Sequence, residues 1–318
     1  MKLLVTRRMT ASAEAALAAR FDADFQDVTE GLTPDQARQA LESYDLILPT
    51  LGDRFTADAF ASANPVRCKL IANFGAGYNH IDVAAAAAHG VPVTNTPGVV
   101  TDATADIALT LILMAARRAG EGERLLRAGG WTGWQPTQLL GTHVTGKTLG
   151  IIGMGRIGKA IARRCHFGFG MRVVFFNRSP VSALDFPAEQ IDSLHETLAQ
   201  SDFAVVAVPG GAGTRHLIGA AELDRLGPSS FLINIARGDV VEEAALIAAL
   251  TAKKIAGAGL DVYEREPIVP DALKAFENVT LLPHLGTATE EVRTAMAMRA
   301  MANLVAFDLG QPLPDRVN

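Results

Sequence analysis

One stretch constrains this chain more than any other: Thr148-Leu149-Gly150-Ile151-Ile152 running directly into Gly153-Met154-Gly155-Arg156-Ile157-Gly158. The first part is a short apolar run of the kind a strand shows when both its faces are buried. Beyond the last glycine, Ile157, Ala160, Ile161 and Cys165 recur at helical spacing. Three glycines at these intervals between a strand and a helix have steric and electrostatic reasons. Gly153 allows the tight turn, Gly155 lets a pyrophosphate approach the backbone, and Gly158 lets the helix pack on the strand. The free N–H groups and positive dipole end of the helix then face the phosphates. In this context the pattern is a dinucleotide-binding fingerprint.

The same alternation runs through the chain. Apolar runs occur at Leu3–Thr6, Leu46–Pro49, Leu70–Phe74, Val91–Asn95, Thr148–Ile152, Val173–Phe176, Ala204–Val208, Phe231–Ile235, Ala258–Val262 and Val279–Leu282, with helical patterns between them. Strand–helix–strand repetition predicts an α/β protein with parallel sheets. The 318 residues are too many for one ordinary core, and the strand series restarts near residue 148. A long helix over Thr101–Gly129 and a second over Thr289–Leu309 are expected to cross between domains. The fold expected is two doubly wound parallel-sheet domains, a Rossmann cofactor domain (99–287) inserted into a flavodoxin-like substrate domain (1–98 plus 288–318). Two crossings make a hinge, and an interdomain cleft is a favoured ligand site.

Composition excludes several classes. With 49% apolar residues and 20% charged residues the chain reads as globular, and its net charge of −5 argues mildly against a nucleic-acid partner, which would favour a basic face. The longest apolar run, Ile107–Ala116, is about half a membrane span, and the N-terminal apolar stretch is too short for a signal peptide. Cys68 and Cys165 have no disulfide or metal spacing and read as core residues of a cytoplasmic protein. No histidine or carboxylate cluster has metal-ligand spacing; His143, His166, His195 and His216 show no partner spacing, and His80 and His89 read as residues at helix ends.

The ribose selector should stand at the end of the second strand of the cofactor domain. Here Met171-Arg172-Val173-Val174-Phe175-Phe176 ends in Asn177-Arg178-Ser179, with no acid. An Asp would repel a 2′-phosphate; Arg178 is placed to pair with one. The expected cofactor is NADP, with NADPH preferred over NADH; the alternative is a solvated Arg178 and loose selection. Three more ionisable residues lie beside late strand ends: Arg237, Glu266 and His284. Together they suit the reduction of a keto acid: an arginine fork for the carboxylate, an imidazole to protonate the forming alkoxide, and a carboxylate to orient and charge the imidazole. On residue pattern alone His284 stays open between this role and that of a hydrogen-bonded loop histidine.

Taken together, Asn73-Phe74-Gly75-Ala76-Gly77-Tyr78-Asn79-His80-Ile81-Asp82, Thr96-Pro97-Gly98-Val99, Gly146 to Gly158, and the segments around Arg237, Glu266 and His284 resemble the D-isomer-specific 2-hydroxyacid dehydrogenase family, in its glyoxylate/hydroxypyruvate reductase branch. The resemblance covers nearly the whole chain. It implies that Arg237, Glu266 and His284 are the catalytic set, and that the backbone amides of Ala76 and Gly77 cradle the substrate carboxylate. It implies that Asp261 holds the nicotinamide carboxamide, that Arg156 and Ile157 meet the pyrophosphate, and that Val208, Pro209 and Thr214 pass the adenosine side. Ile235 and Gly286 complete the cofactor positions. The segment Val208–Thr214 is richer in glycine than the family's usual version, which puts Thr214 in doubt. Trp134 matches a tryptophan of a dimer arm that approaches the partner's active site, which implies a homodimer and a preference for small acids. Lactate- or phosphoglycerate-type NAD enzymes usually have Asp at the position of Asn177, and formate dehydrogenases have Gln at that of Glu266. Dinucleotide-responsive binding proteins share the fold and remain a further alternative.

Overall fold

All ten apolar runs contain strands, and two further strands complete the sheets in a computed structural model that describes residues 1–318. The chain divides into two units, Met1–Val100 with Thr287–Asn318, and Thr101–Gly286.

The first unit holds β1 (Lys2–Val5), β2 (Asp22–Phe25), β3 (Leu46–Leu48), β4 (Leu70–Ala72) and β5 (Val93–Thr94). They pair in parallel in the order β2-β1-β3-β4-β5, the flavodoxin-like winding. One sheet face presents Leu4, Ile47, Ile71 and Val93 to Leu41, Phe55 and Phe60. The helix Glu290–Asp308 packs on β4 and on the helix Ala11–Arg20, so the C-terminal segment is part of this unit's core. Arg299 grips Asp315 through two bonds of 2.7 Å and so fixes the tail.

The second unit holds β6 (Thr148–Ile152), β7 (Arg172–Phe176), β8 (Glu189–Gln190), β9 (Phe203–Val206), β10 (Phe231–Asn234), β11 (Gly257–Leu260) and β12 (Val279–Leu281). Its parallel order is β12-β11-β10-β9-β6-β7-β8. Counted from β6, the order β8 to β11 is 3-2-1-4-5-6, the dinucleotide-fold winding, with β12 added at the far edge. Alternate residues explain why both faces are covered. Leu149, Ile151, Phe203, Val205 and Ile233 meet the helix Thr101–Ala116 and Ile161 on one side. Ile152, Ala204, Val206 and Leu232 meet Leu198, Leu246 and Leu250 on the other. Strand order reverses between β6 and β9, where ligands of open α/β sheets bind. The structure therefore has the expected class, two doubly wound parallel sheets.

Three local expectations need correction. β2 and β8 are absent from the apolar runs, because β2 reads Asp-Ala-Asp-Phe on an edge and β8 is a polar pair on the opposite sheet's edge. An edge strand needs little hydrophobic signal. The helix expected over Thr101–Gly129 is two, Thr101–Ala116 and Ala119–Arg127, broken at Arg118 with φ 53°. The break is tertiary: the amide of Thr142 donates to the carbonyl of Ala116 at 2.7 Å, capping the first helix from a distant segment.

Candidate active site

The glycine loop leaves β6 at the reversal point. Gly153 has φ +100°, and a Cβ there would come within 2.8 Å of the Ala207 carbonyl. A Cβ on Gly158 would overlap the Gly153 carbonyl, so the helix lies as close to the turn as glycine allows. Gly155 faces open space and is the N-cap of the helix Arg156–Phe169, with no side chain capping it. The first-turn donors of a 14-residue helix thus lack a side-chain cap. This is a cradle for a pyrophosphate, and the residues present fit a dinucleotide. Ile157 is packed on the core, while Arg156 is exposed.

Asn177 follows β7 and is structurally committed. Its Oδ1 accepts from the Met154 amide at 3.2 Å, and its Nδ2 donates to the Ser179 carbonyl at 2.8 Å. It ties the selector turn to the glycine loop. Arg178 and Ser179 are exposed. Arg178 and Arg156 form no ion pair, whereas Arg163, Arg164 and Arg172 beside them are all paired with acids. The 209–214 loop is less slack than its glycines suggest. Thr214 Oγ1 donates to the Pro209 carbonyl at 2.7 Å, and the Arg215 amide donates to that of Gly211 at 3.1 Å. Val208 precedes this loop, half-buried.

Arg237, Glu266 and His284 stand beyond the ends of β10, β11 and β12. Buried Asn234 shapes the first turn: its Nδ2 donates to the Arg237 carbonyl at 3.0 Å and its Oδ1 accepts from the Ala236 amide at 3.0 Å. Ile235 is buried beside it. Gly238 lies so close to Tyr263 that any side chain would overlap the Tyr263 carbonyl, which locks the Arg237 turn to the loop carrying Glu266. Glu266 Oε2 meets His284 Nδ1 at 2.8 Å, and Glu266 Oε1 accepts from the Tyr263 amide at 3.1 Å. His284 Nε2 is left without a protein partner. Partial burial pushes the Glu266 carboxyl up, but the bond to His284, the imidazole's charge, the Tyr263 amide and Arg237 together hold it below the usual carboxylate range. Desolvation pulls the Arg237 guanidinium down, against Glu266 and Asp239.

Asp261 has a role that spacing did not reveal. Its two oxygens accept from the amides of Leu285 at 2.6 Å and Gly286 at 2.8 Å, and its carbonyl accepts from the His284 amide at 2.9 Å. These bonds hold His284 at φ 53°, a left-handed conformation a non-glycine residue rarely keeps unaided. Burial nonetheless pushes the Asp261 carboxyl up. His216 and His195 also have unforeseen partners, Glu264 at 2.9 Å and Glu222 at 2.8 Å. The Glu264 amide donates to Glu243 at 3.0 Å, so the His216 pair braces the loop that leads to Glu266. Glu264 is 48 residues from His216 and Glu222 is 27 from His195, outside any local pattern.

In the first unit, the turn after β4 is wired from behind. Buried Asn73 donates to the carbonyls of Gly75 and Gly77 at 3.0 Å each, Asn95 donates to that of Ala76 at 2.8 Å, and the Thr96 amide donates to that of Gly75 at 3.0 Å. Every carbonyl from 75 to 77 is engaged, while the amides of Ala76 and Gly77 have no protein acceptor. Trp131 and Trp134 lie in the irregular segment after the helix Ala119–Arg127, 51% and 81% exposed. No group of three or more His, Cys, Asp or Glu side chains is arranged to hold a metal ion, and no helix is long and apolar enough to cross a membrane. Burial pushes both cysteine thiols up to about 12.

Known proteins share this fold. The family model described as D-isomer specific 2-hydroxyacid dehydrogenase, NAD binding domain, matches residues 109–286. A protein of Thermococcus gammatolerans named glyoxylate reductase is 41% identical, over 100% of this chain and 96% of its own length. A crystal structure of the Thermus thermophilus protein TT0316 superposes with a TM-score of 0.92 at 37% identity, covering 100% of both chains. The NADPH-dependent glyoxylate/hydroxypyruvate reductase of Sinorhizobium meliloti, solved with NADP and malonate, superposes with a TM-score of 0.86 at 35% identity, over 99% of this chain and 96% of that one. With a nicotinamide-dinucleotide loop, an Arg–Glu–His set at neighbouring strand ends and relatives of this identity along its whole length, the chain is an enzyme of the D-isomer-specific 2-hydroxyacid dehydrogenase family, in the branch that holds the glyoxylate reductases.

Proposed function

We propose that this enzyme reduces a small 2-keto acid, glyoxylate or hydroxypyruvate, to the D-2-hydroxy acid, and that it prefers NADPH to NADH. The observation that carries the reaction is the 2.8 Å bond between Glu266 and His284 Nδ1. It leaves Nε2 as the donor, because a carboxylate on one ring nitrogen favours the imidazolium and fixes the ring. A nicotinamide cofactor held at the Gly153–Gly158 loop would supply the hydride for C2 of the keto acid. His284 gives the Nε2 proton to the carbonyl oxygen, and Glu266 stabilises the charged ring before that transfer. Arg237 grips the substrate carboxylate through its planar fork. The free amides of Ala76 and Gly77 are assigned to the same carboxylate. Asp261 positions His284 and, by the family resemblance, takes the carboxamide. The preference for NADPH rests on the unpaired Arg178 and Arg156 and on the absence of an acid at Asn177. The name of the Sinorhizobium relative agrees with it. We assign Trp134 to a homodimer arm that narrows the partner's pocket. If Trp134→Ala leaves the preference among short and long keto acids unchanged, that assignment fails.

The test is loss of reduced-nicotinamide absorbance with glyoxylate and with hydroxypyruvate, NADPH and NADH side by side. Faster turnover with NADPH supports both parts. Faster turnover with NADH keeps the reaction and removes the Arg178 selector.

A further inference from the structure

Arg293 lies in the first turn of the helix Glu290–Asp308 and has no acid to answer its charge. No carboxylate lies within 4.0 Å of its guanidinium, although Glu290 and Glu291 precede it on the same helix. The contrast with Arg299 is direct, since that residue is held by both oxygens of Asp315 at 2.7 Å. The hydrogen bond recorded for Arg293 runs from Nε to the Thr287 carbonyl at 3.1 Å. Its guanidinium carbon stands 6.0 Å from the ring centroid of Phe74.

This setting compensates a merely structural cation only in part. Desolvation alone pulls its guanidinium below the ordinary value. A cation near a helix N-terminus faces the positive end of the dipole. The one aromatic face and one carbonyl it meets replace only part of its hydration. What it does sit beside is informative. Phe74 directly precedes Gly75-Ala76-Gly77, the turn whose carbonyls are all tied back and whose Ala76 and Gly77 amides have no acceptor. A cradle of free amides and a desolvated, uncompensated arginine lean on the same residue. Both demand an anion.

We infer that Arg293 is a further substrate-binding residue, supplying the positive charge of the Ala76–Gly77 amide cradle for the carboxylate of the 2-keto acid. The inference rests on the keto-acid reductase reading. Arg293 acts on binding of the acid, not on proton or hydride transfer, so its loss belongs in KM and not in kcat.

The experiment uses the full-length enzyme with Arg293→Met and Arg293→Lys. It reads KM and kcat for glyoxylate, the inhibition constant of oxalate as an unreactive carboxylate, and NADPH affinity by fluorescence. For Arg293→Met, the expected result is a tenfold or greater rise in both KM and the oxalate constant. The kcat should stay within threefold and NADPH affinity should not change. Arg293→Lys keeps the charge without the fork and should fall between. Unchanged KM and oxalate inhibition in a folded variant would overturn the inference, and so would a rise in NADPH Kd matching the rise in KM. If Arg293→Met does not fold, Arg293→Lys decides alone: a wild-type oxalate constant overturns the proposal. If the wild type turns over no keto acid, the reductase reading itself fails. Oxalate binding to wild type and variants, read by calorimetry, then still separates an anion site at Arg293 from none.

Discussion

Both units open on a parallel strand that turns into a helix, and the two turns treat their polar groups in opposite ways. In the first unit the turn after β1 is closed by the chain's own acids. Asp53, fully buried, accepts from Thr6 Oγ1 at 2.6 Å, Arg7 at 3.0 Å, and the amides of Leu32 and Thr50 at 2.8 Å each. Glu14 in the first turn of the helix Ala11–Arg20 accepts from the Met9 amide and from Arg8, both at 2.8 Å. Both helices lack a side-chain cap at the N-cap, Thr10 and Gly155, but in the second unit no acid stands by the turn after β6, and Arg156 and Arg178 carry no counter-ion. One topology therefore makes either a sealed corner or an anion site. The difference is whether the chain supplies its own negative charge, since a helix N-terminus presents free donors in both cases.

The comparison can be tested from its largest expected effect downward. His284→Ala removes the proposed proton donor of the open unit, and kcat for reduction should fall by about 10²–10⁴. Urea unfolding should lose only the Nδ1 bond to Glu266, about 1.5–3 kcal/mol, because the Nε2 end supports no fold contact. Asp53→Ala should do the reverse. Breaking this buried cluster strands Arg7 and two amides and costs about 3–5 kcal/mol in urea unfolding. NADPH affinity of the folded fraction should be unchanged, and a change would show that the sealed corner is not purely structural.

The sharpest test puts an acid into the open turn. Gly155 has φ −76° and free space around its Cβ position, so Gly155→Asp is sterically allowed. A carboxylate at the N-cap should stabilise the helix by a few tenths to about 1 kcal/mol. The same charge should weaken dinucleotide binding at least 100-fold in a fluorescence titration. A variant that is stabilised and still binds would break the comparison. Next in size, Arg178→Asp should shift the ratio of kcat/KM between NADPH and NADH toward NADH by about 10- to 100-fold, the loss of a charge-assisted bond of about 1.5–3 kcal/mol. The smallest effect concerns pH. Glu266 is held below its ordinary value of 4.5, so its pairing stabilises the fold fully above that value and is lost as pH falls through the lower one. Glu266→Gln removes the titrating carboxyl, so the variant should lose this part of the acid-side fall in urea stability that the wild type shows.

What could be read before the fold was known has a common character. The glycine loop, β6 and the following helix are contiguous, so Gly153, Gly155 and Gly158 announce a local geometry that a few residues enforce by themselves. The apolar runs marked every central strand for the same reason, because burial on both faces leaves a continuous signal. Edge strands β2 and β8 left none, and the break at Arg118 was hidden because the residue responsible, Thr142, lies in another segment. The pairing of His284 with Glu266 was expected from chemistry and family resemblance, but its 2.8 Å geometry depends on β11 and β12 lying side by side.

By itself, then, the sequence determined the parallel α/β class and the place of the dinucleotide loop, and it singled out the side chains proposed to react. Tertiary structure alone decided how they are held. Asp261 pins the loop of His284 across 25 residues, Asn73 and Asn95 turn the Ala76–Gly77 amides outward, Gly238 admits the Tyr263 backbone, and Arg293 is left without an acid. The physical reason is that strand and turn propensities act over a few neighbouring residues. A hydrogen bond or an uncompensated charge depends on which distant atoms the packing brings within about 3 Å.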